Sequence, residues 1–135
     1  MIAFPVKTNA RVAMIDITSA VRDAIAKSTV RNGIALVFAP HTTAAITINE
    51  NADPDVVSDI VRTVDRVAPR DNAYRHSEGN SQAHIMSSLI GASEQVIIED
   101  GTMALGTWQG IYFCEFDGPR SRTVYVQVAG APHAV

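Results

Sequence analysis

Three histidines are the side chains of this sequence best suited to moving protons or holding a metal. They are His41 in Pro40-His41-Thr42-Thr43, His76 in Tyr74-Arg75-His76 and His84 in Gln82-Ala83-His84. Three neutral imidazoles with water in an open fourth position are the usual ligand set of a catalytic zinc. His76 and His84 flank Gly79-Asn80, so a turn leading into a helix can bring both rings to one locus. His41 lies far upstream, and neither HEXXH nor CXXC spacing occurs. Spacing alone therefore leaves two readings open: a shared metal site, or surface and hydrogen-bonded structural histidines. His133 sits in an Ala/Gly/Pro-rich tail that is expected to fray.

The carboxylates and arginines carry the same ambiguity. Glu50 follows a strand and can act as general base on a metal-bound water or a substrate proton. Its other reading is a solvated carboxylate near a helix start, where the dipole favours negative charge. Glu115 and Asp117 are placed to meet Arg120 or Arg122 across a hairpin. Arg120 and Arg122, two apart on an extended segment, also point the same way and can hold a phosphate through paired donors. Trp108 follows the glycine-bracketed stretch Gly101–Gly106 and offers a flat apolar surface, either to a ligand or to the core. Cys114, in the context IYFCEF, reads as a buried strand thiol rather than a nucleophile. No GxxxxGK[ST], GxGxxG or GxSxG motif occurs, so nucleotide-binding and α/β-hydrolase readings have no support.

These residues need a scaffold, and the chain suits one domain spanning residues 1–135. Apolar residues are 47% and charged residues 19%, which excludes a disordered chain. The 11 Lys+Arg are dispersed and the net charge is −3, so there is no basic stripe and nucleic acid is not an expected partner. No apolar run approaches the ~20 residues that span a bilayer, and no signal-peptide pattern opens the chain. The expectation is a cytoplasmic protein without membrane contact, and the single cysteine fits a reducing compartment.

Periodicity and punctuation predict strands at Ile2–Lys7 and Arg11–Asp16, then a helix near Ser19–Ser28 ended by Asn32-Gly33. Ile34–Ala39 is apolar without alternation and is expected to be central and covered on both faces. Ala44–Asn49 alternates Ile46 and Ile48 against Thr47 and Asn49, giving one polar face. Asp53-Pro54 starts a helix with Val57, Ile60, Val61 and Val64 on one stripe. Asn80 or Ser81 caps another, with Ile85, Met86, Leu89 and Ile90 as its apolar positions. Gln95–Ile98, Ile111–Phe116 and Arg122–Val128 read as strands, the last two joined as a hairpin through Asp117–Arg120. Strand pairs at both ends with helices between them predict α+β.

Several segments, in this order, resemble the YjbQ family, whose members include proteins described as secondary thiamine-phosphate synthases. They are PHTTAAITINENADPDV, YRH, GNSQAHIMSSLIGAS and GTMALGTWQGIYFCEFDGPRSRTVYVQ, together covering nearly all of Val6 to Val128. The resemblance implies a β-sandwich of mixed or antiparallel sheets with three main helices packed against it. It also implies a homotrimer with sites near subunit boundaries, and a divalent metal, zinc by ligand type, on His41, His76 and His84. Glu50, Asn80, Trp108, Gln109, Glu115, Asp117, Arg120 and Arg122 fall on the family's motif positions. Asn80-Ser81-Gln82 departs from the smaller segment usual there.

The activity so implied joins a pyrimidine methyl diphosphate to a thiazole phosphate with release of pyrophosphate. His41, Glu50, Arg120 and Arg122 would be catalytic, and Asn80, Trp108, Gln109, Glu115 and Asp117 would contact a small phosphorylated metabolite. Departure of a diphosphate is usually assisted by Mg²⁺ on oxygen ligands, which fits three imidazoles poorly. A zinc-dependent hydrolase with Glu50 activating its water, and a non-catalytic binder of small anions on the same histidine cluster, are the alternatives.

Overall fold

The computed structural model describes residues 1–132; His133 lies outside the described residues. The chain runs β1 (Ile2–Lys7), β2 (Ala13–Asp16), α1 (Thr18–Ala26), β3 (Val30–Phe38), β4 (Ala44–Glu50), α2 (Pro54–Val67) and α3 (Ser81–Ile90). It continues with β5 (Ser93–Glu99), β6 (Thr102–Met103), β7 (Gln109–Glu115) and β8 (Ser121–Pro132). Every described pairing is antiparallel. A five-stranded sheet in the order β1-β8-β3-β5-β6 faces a three-stranded sheet in the order β2-β7-β4. The fold is α+β, as predicted.

The main core lies between the two sheets. Ala35 and Val37 of β3, Val124 and Val126 of β8, Ile46 of β4 and Ile111 and Phe113 of β7 meet there with Val21, Ala24 and Ile25 of α1. A second, smaller cluster of Ala45, Ala68, Ala83, Met86, Cys114 and Phe116 occupies the far side of the three-stranded sheet, under α2 and α3. The strand covered on both faces is therefore β7, whose residues from Gly110 to Glu115 are all buried. This corrects the expectation for Ile34–Ala39. The β3 strand is central but buries only alternate residues, leaving Ile34 47% and Phe38 38% exposed on an uncovered outer face.

Three further expectations need correction. Asn32-Gly33 does not end α1, which closes at Lys27. Gly33 instead pairs with Gly130 inside the five-stranded sheet, so close that a Cβ on Gly33 would lie 2.1 Å from the Ala129 carbonyl oxygen. In α3 the inward residues are Gln82, Ala83, Met86 and Ser87, while Ile85 and Leu89 face outward. Two polar side chains take inward places because partners await them: Gln82 Nε2 donates to the Ala68 carbonyl at 2.6 Å, and Ser87 Oγ to the Ala44 carbonyl at 2.6 Å. Finally, Asp117–Arg120 is not a hairpin turn. The β7 strand belongs to one sheet and β8 to the other, so this segment is a corner between sheets.

The α2 helix starts as predicted, with Asp53 Oδ1 accepting the Asp55 N–H at 2.9 Å and proline at the first position. Asp53→Ala should lower stability by about 1 kcal/mol in urea denaturation, because that N–H loses its cap.

Candidate functional site

Three segments converge on a polar cleft of about 570 Å³. Pro40–Thr43 links β3 to β4, the 117–120 corner links the sheets, and the start of α3 brings Asn80 and His84. Arg120, Arg122, Glu78 and Phe38 also line it.

His41 has a structural reason for its position. The β3–β8 ladder ends at Phe38↔Tyr125, and Pro40, two residues on, has no N–H with which to continue it. The His41 ring takes over: Nε2 lies 3.0 Å from the Thr123 nitrogen and 3.1 Å from the Thr123 oxygen. Burial first, then the charges of Arg122 and Arg120, depress its pKa below 6.5, against the opposing pull of Thr123 and Glu115. The neutral imidazole is thus favoured over the imidazolium, and with Nε2 unprotonated it can accept the Thr123 N–H.

Behind the cleft, Glu115 and Arg122 form a buried ion pair that bridges the sheets, 0% and 5% exposed. Arg122 Nε donates to Glu115 Oε1 at 2.9 Å and an Nη to Oε2. The same guanidinium donates to Thr43 Oγ1 at 2.9 Å, and Thr8 Oγ1 donates to Glu115 Oε1 at 2.7 Å. Burial raises the Glu115 pKa, but the bonds from Arg122, Thr8 and the Asp117 N–H outweigh it and hold the carboxyl below its usual value. Glu115 is thus closed to solvent and acts by anchoring Arg122.

At the cleft's rim Arg120 donates through an Nη to Asp117 Oδ2 at 2.8 Å, and Asn80 Nδ2 donates to the same oxygen at 2.9 Å. Asn80 Oδ1 is buried and finds no hydrogen-bond partner among the described residues.

His84 also borders a second cleft, of about 370 Å³, lined with it by Tyr74, Arg75, His76, Ser81 and Ile85. There the His76 and His84 rings meet edge to face with centroids 5.3 Å apart, and His76 Nε2 is 3.7 Å from Glu78 Oε2. His84 thus borders both clefts, sharing one with His41 and the other with His76. Among the described residues no group of three or more His, Cys, Asp or Glu side chains is placed to hold a metal ion. As arranged, His41, His76 and His84 do not make the three-ligand zinc site that the sequence leads one to expect.

The remaining candidates lie elsewhere. Glu50 is at the far end of β4 from His41, about 20 Å along the strand. It pairs with Gln109, and its carbonyl accepts the Tyr112 hydroxyl at 3.0 Å. Gln109 Oε1 accepts the Gly106 N–H at 2.8 Å, closing the turn that carries Trp108. Trp108 is 62% exposed, so it is not a core residue, and its carbonyl accepts the Asn51 N–H. Cys114 is buried on β7, and burial pushes its thiol up to about 12. Sequence reasoning missed Thr8, Thr43, Phe38 and Glu78. The PHTT and YRHSEGN segments contain Thr43 and Glu78, whereas no local pattern marks Thr8, which reaches Glu115 across 107 positions.

The scaffold that holds these residues is shared with known proteins. The UPF0047 protein YjbQ-like family model matches residues 2–131. The chain belongs to this family. The UPF0047 protein YugU of Bacillus subtilis is 55% identical over 126 residues, covering 93% of this chain and 96% of that one. UPF0047 protein MJ1081 of Methanocaldococcus jannaschii is 53% identical, covering 94% and 92%. An uncharacterized YjbQ/UPF0047-family protein of Clostridium acetobutylicum superposes with a TM-score of 0.93 at 56% identity, covering 96% of this chain and all of that one. A YbjQ-like protein of unknown function from Sulfolobus solfataricus gives 0.92 at 32% identity, covering 96% and 95%.

These relatives carry family names without an activity, and none supports thiamine-phosphate synthesis. Geometry weighs the same way. The stacking surface of Trp108 and the base Glu50 sit at the opposite end of β4 from Arg120 and Arg122, so the groups that synthesis requires do not share a locus. The zinc hydrolase and the passive anion binder both rest on a three-histidine cluster that does not form. All three readings are corrected accordingly. No helix among the described residues is long and apolar enough to cross a membrane.

Proposed function

We propose that the Pro40–Thr43 cleft receives a small phosphorylated metabolite, with Arg120 and His41 beside its anionic end and His84 at its wall. The supporting observation is that the Arg120 guanidinium and the His41 ring line one polar cleft. The guanidinium of Arg120 is half-exposed and oriented by Asp117, which suits it to meet a ligand. The cleft volume suits a small metabolite. A cytoplasmic location, where such metabolites are plentiful, belongs to this reading and agrees with the one buried, unreactive thiol.

Inorganic phosphate and glycerol phosphate titrated against isotope-labelled protein should saturate, and the His41 pKa should rise because the bound anion offsets the guanidinium field. Arg120→Ala should weaken binding by about tenfold, the worth of a charge-assisted hydrogen bond. Non-saturating titrations, or unchanged affinity in Arg120→Ala, sink the reading.

We also propose that copies of the chain associate, as the family's implied homotrimer requires, through the outer face of the five-stranded sheet. Ile34 is paired there with Ile97, which is 63% exposed, and Phe38 stacks on Tyr125 with centroids 6.4 Å apart. Phe38 also lines the cleft, so a neighbour on this face would wall the binding site. Light scattering should give three times the 14.5 kDa chain mass, falling to one chain in Ile97→Glu. A wild-type monomer overturns this part alone.

A further inference from the structure

Beneath α2 lies a third, partly enclosed cavity of about 190 Å³ that shares no lining residue with either cleft. One wall is the apolar stripe of α2, namely Ile60, Val61 and Val64; Cys114 and Phe116 lie at its side. The floor is β4, which presents Thr47 and Asn49. This is the polar face that alternation predicts for β4; beside the helix Thr47 is half-buried, while Asn49 stays open to solvent at the cavity's edge.

The mismatch explains the space. An amphipathic helix ordinarily closes its stripe onto an apolar sheet face, yet no residue of α2 is buried. Closing Ile60, Val61 and Val64 onto Thr47 and Asn49 would bury a hydroxyl and an amide against hydrocarbon, a cost of about 1–3 kcal/mol for each group left without a partner. Asn49 Oδ1 already accepts the Glu50 N–H at 2.8 Å, so what it offers a guest is its amide NH₂. The lining holds no charged residue. An occupant therefore needs an apolar body for one wall and a single hydrogen-bonding head for the floor.

We infer that this cavity is a binding site for a small uncharged molecule with an apolar body and one hydroxyl or carbonyl group. An apolar cavity of about 150 Å³ is large enough for benzene, so the guest is of benzyl alcohol size. A carboxylate is excluded because nothing in the lining would neutralise its charge.

Benzyl alcohol, toluene and benzoate are titrated against the intact chain, with methyl resonances of Ile60, Val61 and Val64 as the readout. Benzyl alcohol should saturate with shifts confined to those residues. Toluene should bind several-fold more weakly, having no head for Thr47 and Asn49, and benzoate should not bind. Val64→Phe fills the cavity and should abolish benzyl alcohol binding while leaving the phosphate response of His41 intact. Thr47→Val, which preserves shape, should reduce benzyl alcohol to the toluene level. The inference is overturned by no saturable benzyl alcohol binding in the wild type, by shifts that lie elsewhere, or by equal affinity for benzyl alcohol and toluene. A cavity that holds water only would give the first of these results.

Discussion

Glu115→Ala is expected to lower the free energy of unfolding by about 3–5 kcal/mol, the cost of leaving a buried charge without its partner. The carboxylate is fully buried and accepts from Arg122, Thr8 and the Asp117 N–H. Its loss leaves the Arg122 guanidinium 5% exposed with Thr43 as its remaining protein acceptor. Against a total stability of about 5–15 kcal/mol for a domain, the variant should be partly unfolded or melt early. Urea denaturation followed by circular dichroism measures the loss. Pairing Glu115→Leu with Arg122→Met should recover much of it, because the isolated charge is then gone. A Glu115→Ala protein as stable as the wild type would show that the pair does not tie the sheets together.

The same pair predicts acid sensitivity. The folded pKa of Glu115 is depressed below the ordinary 4.5, so its contribution is present above that value and lost as pH falls through the lowered one. His41, depressed below 6.5, behaves alike: the native state favours the neutral ring, and its contribution is lost as pH falls from 6.5 through the lowered value. Stability should therefore decline in two steps on acidification, and the first should disappear in His41→Asn.

Gly118→Ala is expected to cost about 3 kcal/mol, at the upper end for overpacking, and to weaken phosphate binding as well. A Cβ there would lie 2.2 Å from the Ala10 carbonyl oxygen, 2.8 Å from Glu115 Cγ and 2.9 Å from Thr8 Oγ1. The first is backbone and cannot swing aside, and the Gly118 N–H already donates to the Arg11 carbonyl at 3.0 Å. Thr8 Oγ1 also accepts the Arg120 N–H at 2.8 Å, so displacing it disturbs both arginines of the cleft. Thermal unfolding and phosphate titration of the one variant test both effects. Normal melting with normal binding would contradict the tight corner.

Element identity was legible in the sequence because it rests on local chemistry. Asp53-Pro54 starts α2 through its own backbone, and Ile2–Lys7 has strand periodicity within six residues. Exposure was less legible. The run Ile34–Ala39 looks doubly covered, but whether a helix lies over a strand depends on where the rest of the chain goes. The α3 stripe was misassigned because Gln82 and Ser87 find buried acceptors on Ala68 and Ala44, partners that hydropathy cannot register.

For the site, the sequence by itself determined which residue types are available: three histidines, two arginines next to a Gly-Pro corner, and an isolated tryptophan. It also determined the family, through motifs spread over the whole chain. Only the tertiary structure decided which of them meet. Glu50 and His41 are close in sequence but lie toward opposite ends of β4, because an extended strand carries each residue about 3.3 Å further from its start. Glu115 and Arg122 look like hairpin partners, yet they join two sheets, because the chain leaves one ladder at Glu115 and enters another at Ser121. Spacing along a chain measures contour length, whereas chemistry depends on distances set by sheet pairing and packing.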